Sequence, residues 1–244
     1  MPAQHIPILM YHQIDARPVR GTPLRGLVVS PSSFARQMAM LKILGYQGLS
    51  MSALMPYLQG HQHGKVVGIT FDDGYVNNIE HALPVLKKNG FSATCYLVSG
   101  QLGGTNAWDA DKGIAIKPLM QATQARAWVD GGQEVGAHSR SHADLTTLSA
   151  DQTHDEIVGS KQDLENVLGA TVSQFCYPYG RYTAQHVAQV QAAGYMAATT
   201  TARGRARTSD SIWELPRVPV MGSVWLGQLW QKIATSYEDK RRGA

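Results

Sequence analysis

The sequence is short of cysteines and of long apolar runs. Only two cysteines occur in 244 residues, and both lie in segments that favour strands, Ala93–Leu97 and Ser173–Tyr177. We therefore expect Cys95 and Cys176 to be small buried hydrophobes rather than a disulfide bridge, which is compatible with a reducing compartment. No apolar run approaches the roughly 18 residues of a membrane-spanning helix, so no membrane span is expected.

Charged residues are also sparse, at 16% of the chain. The 22 Lys and Arg residues outnumber the 18 Asp and Glu residues, and no basic stripe is present. This pattern argues against a nucleic-acid binder, although the mild basic excess suits an anionic substrate or a lipid phosphate. The basic end, Lys240–Arg242, is expected to be a short solvated tail.

The chain shows no internal repeat, linker or low-complexity segment, so residues 1–244 are expected to form one domain. Residues 1–5 lack the charged and apolar regions of a secretion signal. The sequence as it stands therefore predicts a cytoplasmic protein, or a periplasmic or secreted one if a leader has been removed.

The most informative segment is an apolar run that ends in two adjacent carboxylates. Val66–Phe71 is rich in β-branched residues and is followed by Asp72, Asp73 and Gly74. The pattern predicts a buried strand that delivers both carboxylates to the edge of a sheet or the mouth of a barrel. Taken alone, Asp-Asp-Gly is more typical of a solvated turn.

A second short run, Glu134–Ala137, ends at His138, and His142 follows four residues later. Two imidazoles and one carboxylate suit zinc, cobalt, nickel or ferrous iron and leave positions open for water and substrate. This histidine spacing alone is unsurprising in a chain with nine histidines. Both motifs follow strands, however, and because the ends of parallel strands converge on one face, together they favour a metal site.

A third strand, Val172–Tyr177, runs into a Pro178-Tyr179-Gly180 loop. With TFDDGY at 70–75, HSRSH at 138–142 and YPYG at 177–180 in this order, the sequence resembles the polysaccharide deacetylases. This family is also called the NodB-homology domain or carbohydrate esterase family four. The resemblance covers residues 6–220, nearly the whole chain.

The resemblance implies a role for each motif residue. Asp73, His138 and His142 would bind a divalent metal, with zinc preferred over cobalt, nickel or iron. Asp72 would be the general base that takes a proton from the activated water, and the backbone N–H of Tyr179 would hold the oxyanion.

The family's usual acid is a histidine in a Leu-His motif near the C-terminus, where this chain has none. The N-terminal strand Ile6–Tyr11 instead ends at His12, and its PILMYH pattern resembles the branch that includes the poly-N-acetylglucosamine deacetylases. The resemblance therefore assigns His12 as the acid that protonates the leaving amine. The alternative is a histidine that merely caps a strand.

Many relatives also carry an arginine just before the Pro-Tyr pair, where this chain has Cys176. A thiol cannot form a bidentate contact with a carboxylate. Arg217, near the end of its own strand, is the candidate to reach the site and keep Asp72 ionised. A salt bridge at the surface or at the edge of the core is the alternative for Arg217.

Strand patterns near 6–11, 65–71, 91–98, 134–138, 173–177, 195–200 and 215–220 alternate with amphipathic segments of helical length. Several of the helical segments end at a glycine, as at Gly45 and Gly90. This α/β alternation makes about seven units. With the resemblance, it predicts a distorted (β/α)7 barrel in a single domain.

These observations predict a metal-dependent hydrolase that removes the N-acetyl group from an amino sugar in a polysaccharide or glycan precursor. The expected partner is an N-acetylated carbohydrate, free or lipid-linked, and Trp108 and Trp213 are candidates to line a sugar groove. One alternative is an O-acetyl esterase, or an amidase for a non-sugar C–N bond, on the same scaffold. The other is a non-catalytic glycan-binding protein.

Overall fold

Parallel strands close into a barrel that is surrounded by helices. The computed structural model describes residues 5–242. Residues 1–4 and 243–244 lie outside the described range, and residues 1–4 are most of the segment in which a secretion signal was sought. The strands are β1 (His5–Ile6), β2 (Ile8–Tyr11), β3 (Gln13–Ile14), β4 (Val28–Val29), β5 (Gln47–Leu49), β6 (Val66–Phe71), β7 (Thr94–Leu97), β8 (Glu134–Ala137), β9 (Gln174–Cys176), β10 (Ala197–Arg203), β11 (Ala206–Arg207) and β12 (Leu215–Pro219).

The α-helices are α1 (Pro31–Ile43), α2 (Met51–Leu58), α3 (Leu83–Asn89), α4 (Ala122–Asp130), α5 (Ala150–His154), α6 (Ser160–Leu168), α7 (Ala184–Ala192) and α8 (Leu226–Ala234). Two π-helical segments lead into α3 and α6, at Asn78–Ala82 and Asp155–Gly159. Short 3₁₀ turns lie at Arg25–Leu27, Ser99–Gln101, Ala107–Lys112, Leu145–Thr147, Pro178–Gly180 and Asp239–Arg241. In the described part of the chain, no helix has the length and apolar character needed to cross a membrane.

Around the barrel the strand order is β2-β12-β10-β9-β8-β7-β6, and pairing of β6 with β2 closes the cylinder. An eighth parallel strand, β5, pairs with the first half of β6, at Val66, Val67 and Gly68. The second half of the same edge, at Thr70 and Phe71, pairs with β7. A single register pair, Ala137 with Phe175, connects β8 to β9. The predicted distorted (β/α)7 barrel is therefore confirmed, with its irregularity at these two places.

The seven predicted strand segments correspond to the seven barrel strands, whereas β5 was missed. It is only three residues long, which is too short to show an alternating pattern, and it contains a glycine. Gly48 is required there because a Cβ would lie 2.7 Å from the side chains of Ile69 and Phe91.

A cluster of buried aromatic rings fixes the end of β6. The ring of Tyr11 stacks on Phe71 with centroids 5.6 Å apart, and Phe34 of α1 contacts both rings at 5.3 and 5.7 Å. Trp128 of α4 meets Phe71 edge-on at 5.8 Å. Each such pair contributes about 0.5–1.5 kcal/mol beyond burial of its area. The cluster therefore holds the residue that immediately precedes Asp72.

The C-terminal end is bound to the fold, so the prediction of a solvated tail is wrong. The guanidinium of Arg242 donates to both carboxylate oxygens of Asp210 at 2.7 and 2.8 Å. The guanidinium of Arg241 lies 3.7 Å from the centre of the Tyr237 ring. Ion pairing and stacking, which the sequence does not reveal, offset the cost of ordering this segment.

Glu238 anchors the same segment. Its side chain is fully buried, and its carboxylate accepts hydrogen bonds from Arg203 at 2.9 and 3.0 Å and from Lys232 Nζ. Burial raises the pKa of Glu238, but the two cations outweigh burial and lower it below its ordinary value. This carboxylate therefore joins the chain end to β10 and α8.

We predict that Glu238→Gln lowers the free energy of unfolding by about 3 kcal/mol, because it leaves the buried Lys232 and the partly buried Arg203 without their carboxylate. Urea denaturation at pH 7 checks this value. Asp151→Asn, on the exposed face of α5, is the control and should change stability by less than about 0.5 kcal/mol.

The difference in free energy of unfolding between wild type and Glu238→Gln should also depend on pH. Because the folded-state pKa of Glu238 is lowered, its stabilisation is complete above the ordinary glutamate pKa and is lost as the pH falls through the folded value. A difference that stays constant on acidification would contradict the role of this carboxylate.

Candidate metal centre and active site

Three side chains from the ends of β6 and β8 meet in one buried cluster. Asp73 Oδ1 lies 3.5 Å from His138 Nε2 and 3.3 Å from His142 Nε2. All three residues are buried, and one donor atom from each lies within 4.8 Å of the others. The structure thus brings together the three side chains named as candidate ligands, at the carboxyl ends of parallel strands.

The spacing of these atoms fits a divalent cation. Two ligands about 2.1 Å from a tetrahedral cation are about 3.4 Å apart, which is close to the 3.3 and 3.5 Å between Asp73 Oδ1 and the two imidazole nitrogens. His138 Nδ1 lies 2.8 Å from the carbonyl oxygen of Cys176 and donates its proton there. Because this hydrogen bond occupies Nδ1, Nε2 is the nitrogen left to bind a cation when the ring is neutral.

Left-handed backbone is concentrated around this cluster. In the described range, the non-glycine residues with positive φ are Leu24, Asp73, Ser139, His142 and Tyr179. Four of them belong to the three sequence motifs, and the fifth lines the pocket above the cluster. Such conformations cost of order 1–3 kcal/mol each and are typical of functional sites.

The neighbouring carboxylate, Asp72, binds Arg217. Nη1 and Nη2 of the guanidinium donate to Asp72 Oδ1 and Oδ2 at 2.7 and 2.8 Å. Arg217 also donates to the Thr200 carbonyl at 2.8 Å and to Thr70 Oγ1 at 3.1 Å. At 1% exposure, Arg217 is not a surface ion pair.

The arginine controls the charge of Asp72. Burial raises the pKa of this carboxyl, but the adjacent Arg217 guanidinium outweighs burial and lowers the pKa below its ordinary value. For Asp73, burial likewise raises the pKa, and the neighbouring His138 and His142 imidazoles lower it well below the ordinary range. Both carboxylates are therefore ionised at neutral pH.

Cys176 belongs to a second, overlapping trio. Donor atoms of Asp72, His138 and Cys176 also lie within 4.8 Å of one another. However, both Asp72 oxygens are bound to Arg217, and Arg217 Nη2 lies 3.2 Å from Cys176 Sγ. A cation there would face a buried positive charge, so the trio containing Asp73 is the better cation site. Both cysteines are free and buried, as predicted.

His12 enters the same pocket from the end of β2. Its Nε2 lies 3.9 Å from Asp72 Oδ2, and 17% of its side chain is exposed. Its backbone carbonyl accepts a hydrogen bond from Asn78 Nδ2 at 2.8 Å, which ties this loop to the segment after β6. The pocket therefore contains one imidazole that is not part of the buried trio.

Two aromatic rings hold His142. The indole of Trp108 stacks on the imidazole with centroids 4.5 Å apart and planes 19° apart, and the Tyr179 ring meets it edge-on at 4.6 Å. Burial lowers the pKa of His142 although Asp73 opposes this shift, so the ring is neutral at pH 7. Neutral imidazole is the form that binds metals.

Comparison with known proteins identifies the family. Residues 59–198 match the family model described as polysaccharide deacetylase. This chain belongs to the polysaccharide deacetylase family. YxkH of Bacillus subtilis (strain 168), itself assigned to the polysaccharide deacetylases, is 31% identical over 217 residues, which make up 88% of this chain and 71% of that relative. Deacetylases of this family, carbohydrate esterase family four, are in general metal-dependent hydrolases.

Solved structures share the fold of this deacetylase over nearly its whole length. The Streptococcus pyogenes deacetylase PplD, solved in complex with acetate, superposes with a TM-score of 0.82 at 27% identity, covering 95% of this chain and 99% of that one. IcaB from Ammonifex degensii superposes with a TM-score of 0.78 at 25% identity, covering 93% of this chain and 97% of that one.

The sequence patterns did not single out Tyr75, which lines the catalytic pocket, or Lys112, which borders a neighbouring pocket beside Trp108 and Tyr179. Tyr75 is 2% exposed, and burial together with the nearby Asp73 carboxylate raises the pKa of its hydroxyl. Lys112 Nζ lies 4.9 Å from the centre of the Tyr179 ring. Tyr75 is part of the first motif and its position signalled a role, whereas Lys112 lies in a long loop that carries no motif.

Of the two tryptophans expected in a sugar groove, one is in place and one is not. Trp108 lines the pocket beside His142. Trp213 packs against the core, where its Nε1 donates to the Tyr195 carbonyl at 3.3 Å, so the expectation for Trp213 is wrong. Its loop position resembled that of Trp108, but Trp213 contacts the pocket-lining Tyr177, whose hydroxyl donates to the Trp213 carbonyl at 3.1 Å, and does not line the pocket itself.

We predict that Asp73→Ala and His138→Ala abolish stoichiometric zinc binding, whereas Asp72→Asn, which keeps the side-chain shape, retains it. Isothermal titration with zinc chloride, together with elemental analysis after dialysis, measures this difference. Burial lowers the pKa of His138, but contacts with Cys176 and Asp73 raise it well above its ordinary value. Because protons then compete for the imidazole, affinity should fall with falling pH. Loss of zinc in Asp72→Asn with retention in Asp73→Ala would reverse the assignment.

Proposed function

We propose that this deacetylase hydrolyses the N-acetyl group of an amino sugar in a polysaccharide or a glycan precursor, through water activated at a divalent metal centre. One observation carries the proposal. An ionised buried carboxylate, Asp72, and an imidazole outside the ligand set, His12, line the same pocket as Asp73, His138 and His142. Amide hydrolysis needs this combination of base, acid and electrophile. The proposal treats residues 1–244 as one deacetylase domain.

The proposed ligands are Asp73, His138 and His142, with zinc preferred over cobalt, nickel or iron. A divalent cation held there supplies Lewis acidity, because it lowers the pKa of a coordinated water and polarises a carbonyl. Asp72 takes the proton from the attacking water. Its bidentate contact with Arg217 keeps the carboxylate charged and fixes its orientation.

The oxyanion that develops at the acetyl carbonyl needs a hydrogen-bond donor, and we assign the backbone N–H of Tyr179 to this role. Tyr179 adopts φ 58° between Pro178 and Gly180, and Gly180 is also left-handed at φ 68°. A Cβ at Gly180 would overlap the Thr201 side chain, so the loop requires glycine here. The donor is therefore carried by a rigid backbone turn, which favours preorganisation.

Cleavage of an amide also requires a proton for the departing amine, and we assign this acid role to His12. Its Nε2 lies 3.9 Å from Asp72 Oδ2, so the proton acceptor and the proton donor flank the same reacting group. The imidazole comes from the start of the chain rather than from its end. Because β2 pairs with β6 in parallel and closes the barrel, His12 at the end of β2 lies close to the carboxylates at the end of β6.

The nature of the substrate is supported by the pocket and by the relatives. The PplD structure contains acetate, the product of deacetylation, and YxkH is assigned to polysaccharide substrates. The exposed edges of Trp108 and Tyr179 offer aromatic surface at the mouth of the pocket. A lipid-linked amino sugar shares the same acetamido group and belongs to the same proposal.

Acetate release from chitooligosaccharides tests the proposal. Release should stop with a chelator and return with zinc or cobalt, and Asp72→Asn should lower it by about 10²- to 10⁴-fold. We predict a loss of similar size for His12→Ala on amides. On p-nitrophenyl acetate the loss should be much smaller, because this leaving group needs no protonation.

The outcomes separate the rival activities. If His12→Ala lowers the rate of amide cleavage and the rate of p-nitrophenyl acetate cleavage equally, His12 is not the acid. Release of acetate from acetylated xylan but from no N-acetylated sugar would make the protein an O-acetyl esterase. Chelator-resistant activity would contradict the metal-dependent mechanism.

We also predict that Arg217→Met lowers kcat by at least about tenfold and changes zinc affinity little, because the arginine contacts the base and none of the proposed ligands. Steady-state kinetics and zinc titration of the same preparation measure both quantities. Lys88→Met, at an exposed position near the end of α3, is the control and should leave kcat unchanged. Parallel losses of kcat and zinc affinity would mean that Arg217 only supports the fold.

A further inference from the structure

A second pocket lies beside the catalytic pocket on the same end of the barrel. It is bordered by Ser33 and Arg36 on α1 and by the segment from Gly222 to Leu226 that follows β12. The Gly222 N–H donates to the carbonyl oxygen of Gly26 at 2.8 Å. Because Arg25 and Leu27, on either side of Gly26, line the catalytic pocket, one strand of backbone separates the two pockets.

The wall of this second pocket carries an unusually exposed tryptophan. Trp225 is 69% exposed, more than any other Trp, Tyr or Phe side chain between residues 5 and 242. Its indole lies over Gly227 in the first turn of α8, and a Cβ at that glycine would overlap the ring. Gly227 therefore allows the flat indole to rest against the helix backbone with its other side open.

The rest of the pocket offers hydrogen-bond donors. The guanidinium of Arg36 donates to Ser33 Oγ at 3.2 Å, and Arg36 forms no ion pair within the described range. Ser223 adds a further hydroxyl to the lining. A flat aromatic face beside convergent polar groups is the chemistry that recognises a sugar ring, which has an apolar face and a rim of hydroxyls.

We propose that the pocket formed by Ser33, Arg36 and Trp225 is a distal subsite that binds a further sugar unit of the glycan whose acetylated unit occupies the catalytic pocket. This inference rests on the proposed function. The two pockets lie on either side of the Gly26–Gly222 backbone contact, which favours a chain that crosses this contact and reaches both. The polar lining of the subsite favours a glycan over a lipid surface or an apolar partner face.

The unpaired charge of Arg36 gives the subsite a preference. A deacetylated sugar carries a protonated amine, which the guanidinium repels, whereas an N-acetylated sugar is neutral. The subsite therefore favours chains that are still acetylated at the unit it binds. Salt should weaken this discrimination because both groups are exposed to solvent.

Chain-length dependence tests the subsite. Trp225→Ala should raise KM for chitopentaose by about three- to tenfold and leave KM for chitobiose and turnover of p-nitrophenyl acetate unchanged. Gly227→Ala keeps the tryptophan but displaces its ring, so the same selective rise is expected. Alanine also favours the helix at this position, so any loss cannot be ascribed to unfolding of α8.

Trp230→Ala is the matched control, because Trp230 is 48% exposed on the same helix and does not border the pocket. Its KM for chitopentaose should equal that of wild type. Unchanged KM in Trp225→Ala, or an equal rise for chitobiose and chitopentaose, would overturn the proposal. A rise in KM for chitopentaose in Trp230→Ala as large as that in Trp225→Ala would also overturn the proposal.

A separate binding experiment tests the charge preference. Wild type should bind fully acetylated chitopentaose a few-fold more tightly than a partly deacetylated one, and Arg36→Gln should remove that difference. Lys42→Gln removes the same charge from the far end of α1 and should preserve the difference. Retention of the difference in Arg36→Gln would exclude Arg36 from the subsite.

Failure of the subsite and failure of the proposed function give different results. If no N-acetylated oligosaccharide releases acetate while p-nitrophenyl acetate is still cleaved, the proposed function fails. Calorimetric binding of chitopentaose to wild type and Trp225→Ala then decides the subsite independently. Equal binding by both proteins overturns it, and weaker binding by Trp225→Ala supports it.

Discussion

The left-handed turn at Asp73 is the constraint on which the site depends. Two carboxylates that are adjacent in sequence have different partners, since Asp72 binds Arg217 and Asp73 approaches His138 and His142. Side chains of successive residues in a strand point to opposite faces. β6 ends at Phe71, the backbone turns with φ 73° at Asp73, and both carboxylates line one pocket. The aromatic cluster behind Phe71 holds the strand end from which this turn starts.

Two buried negative charges in sequence would repel each other and lose hydration, so each needs its own compensation. Arg217 reaches Asp72 from β12, which lies beside β2 in the closed barrel. Cys176 at the end of β9 is small, and its Sγ accepts a contact from Arg217 Nη2 at 3.2 Å. The guanidinium that compensates Asp72 thus comes from β12 and not from the strand that precedes Pro178.

The elements with a strong local pattern could be predicted from the sequence. The seven barrel strands, the paired carboxylates and both histidines carry such patterns, and their convergence follows from parallel strands. The contact between Arg217 and Asp72 was a hypothesis with an equal alternative, because a distance across 145 positions leaves no local signal. The second pocket was not predicted at all. Trp225 and Trp230 look alike in sequence, and only the packing of Trp225 on Gly227 separates them.

The central claim is that Asp73, His138 and His142, rather than the overlapping trio with Cys176, hold the metal. Zinc K-edge X-ray absorption of the zinc-loaded protein tests it most directly. We expect only nitrogen and oxygen neighbours at about 2.0–2.1 Å, with the multiple scattering of two imidazoles and no change in Cys176→Ser. A sulfur neighbour at about 2.3 Å that disappears in Cys176→Ser would contradict the account.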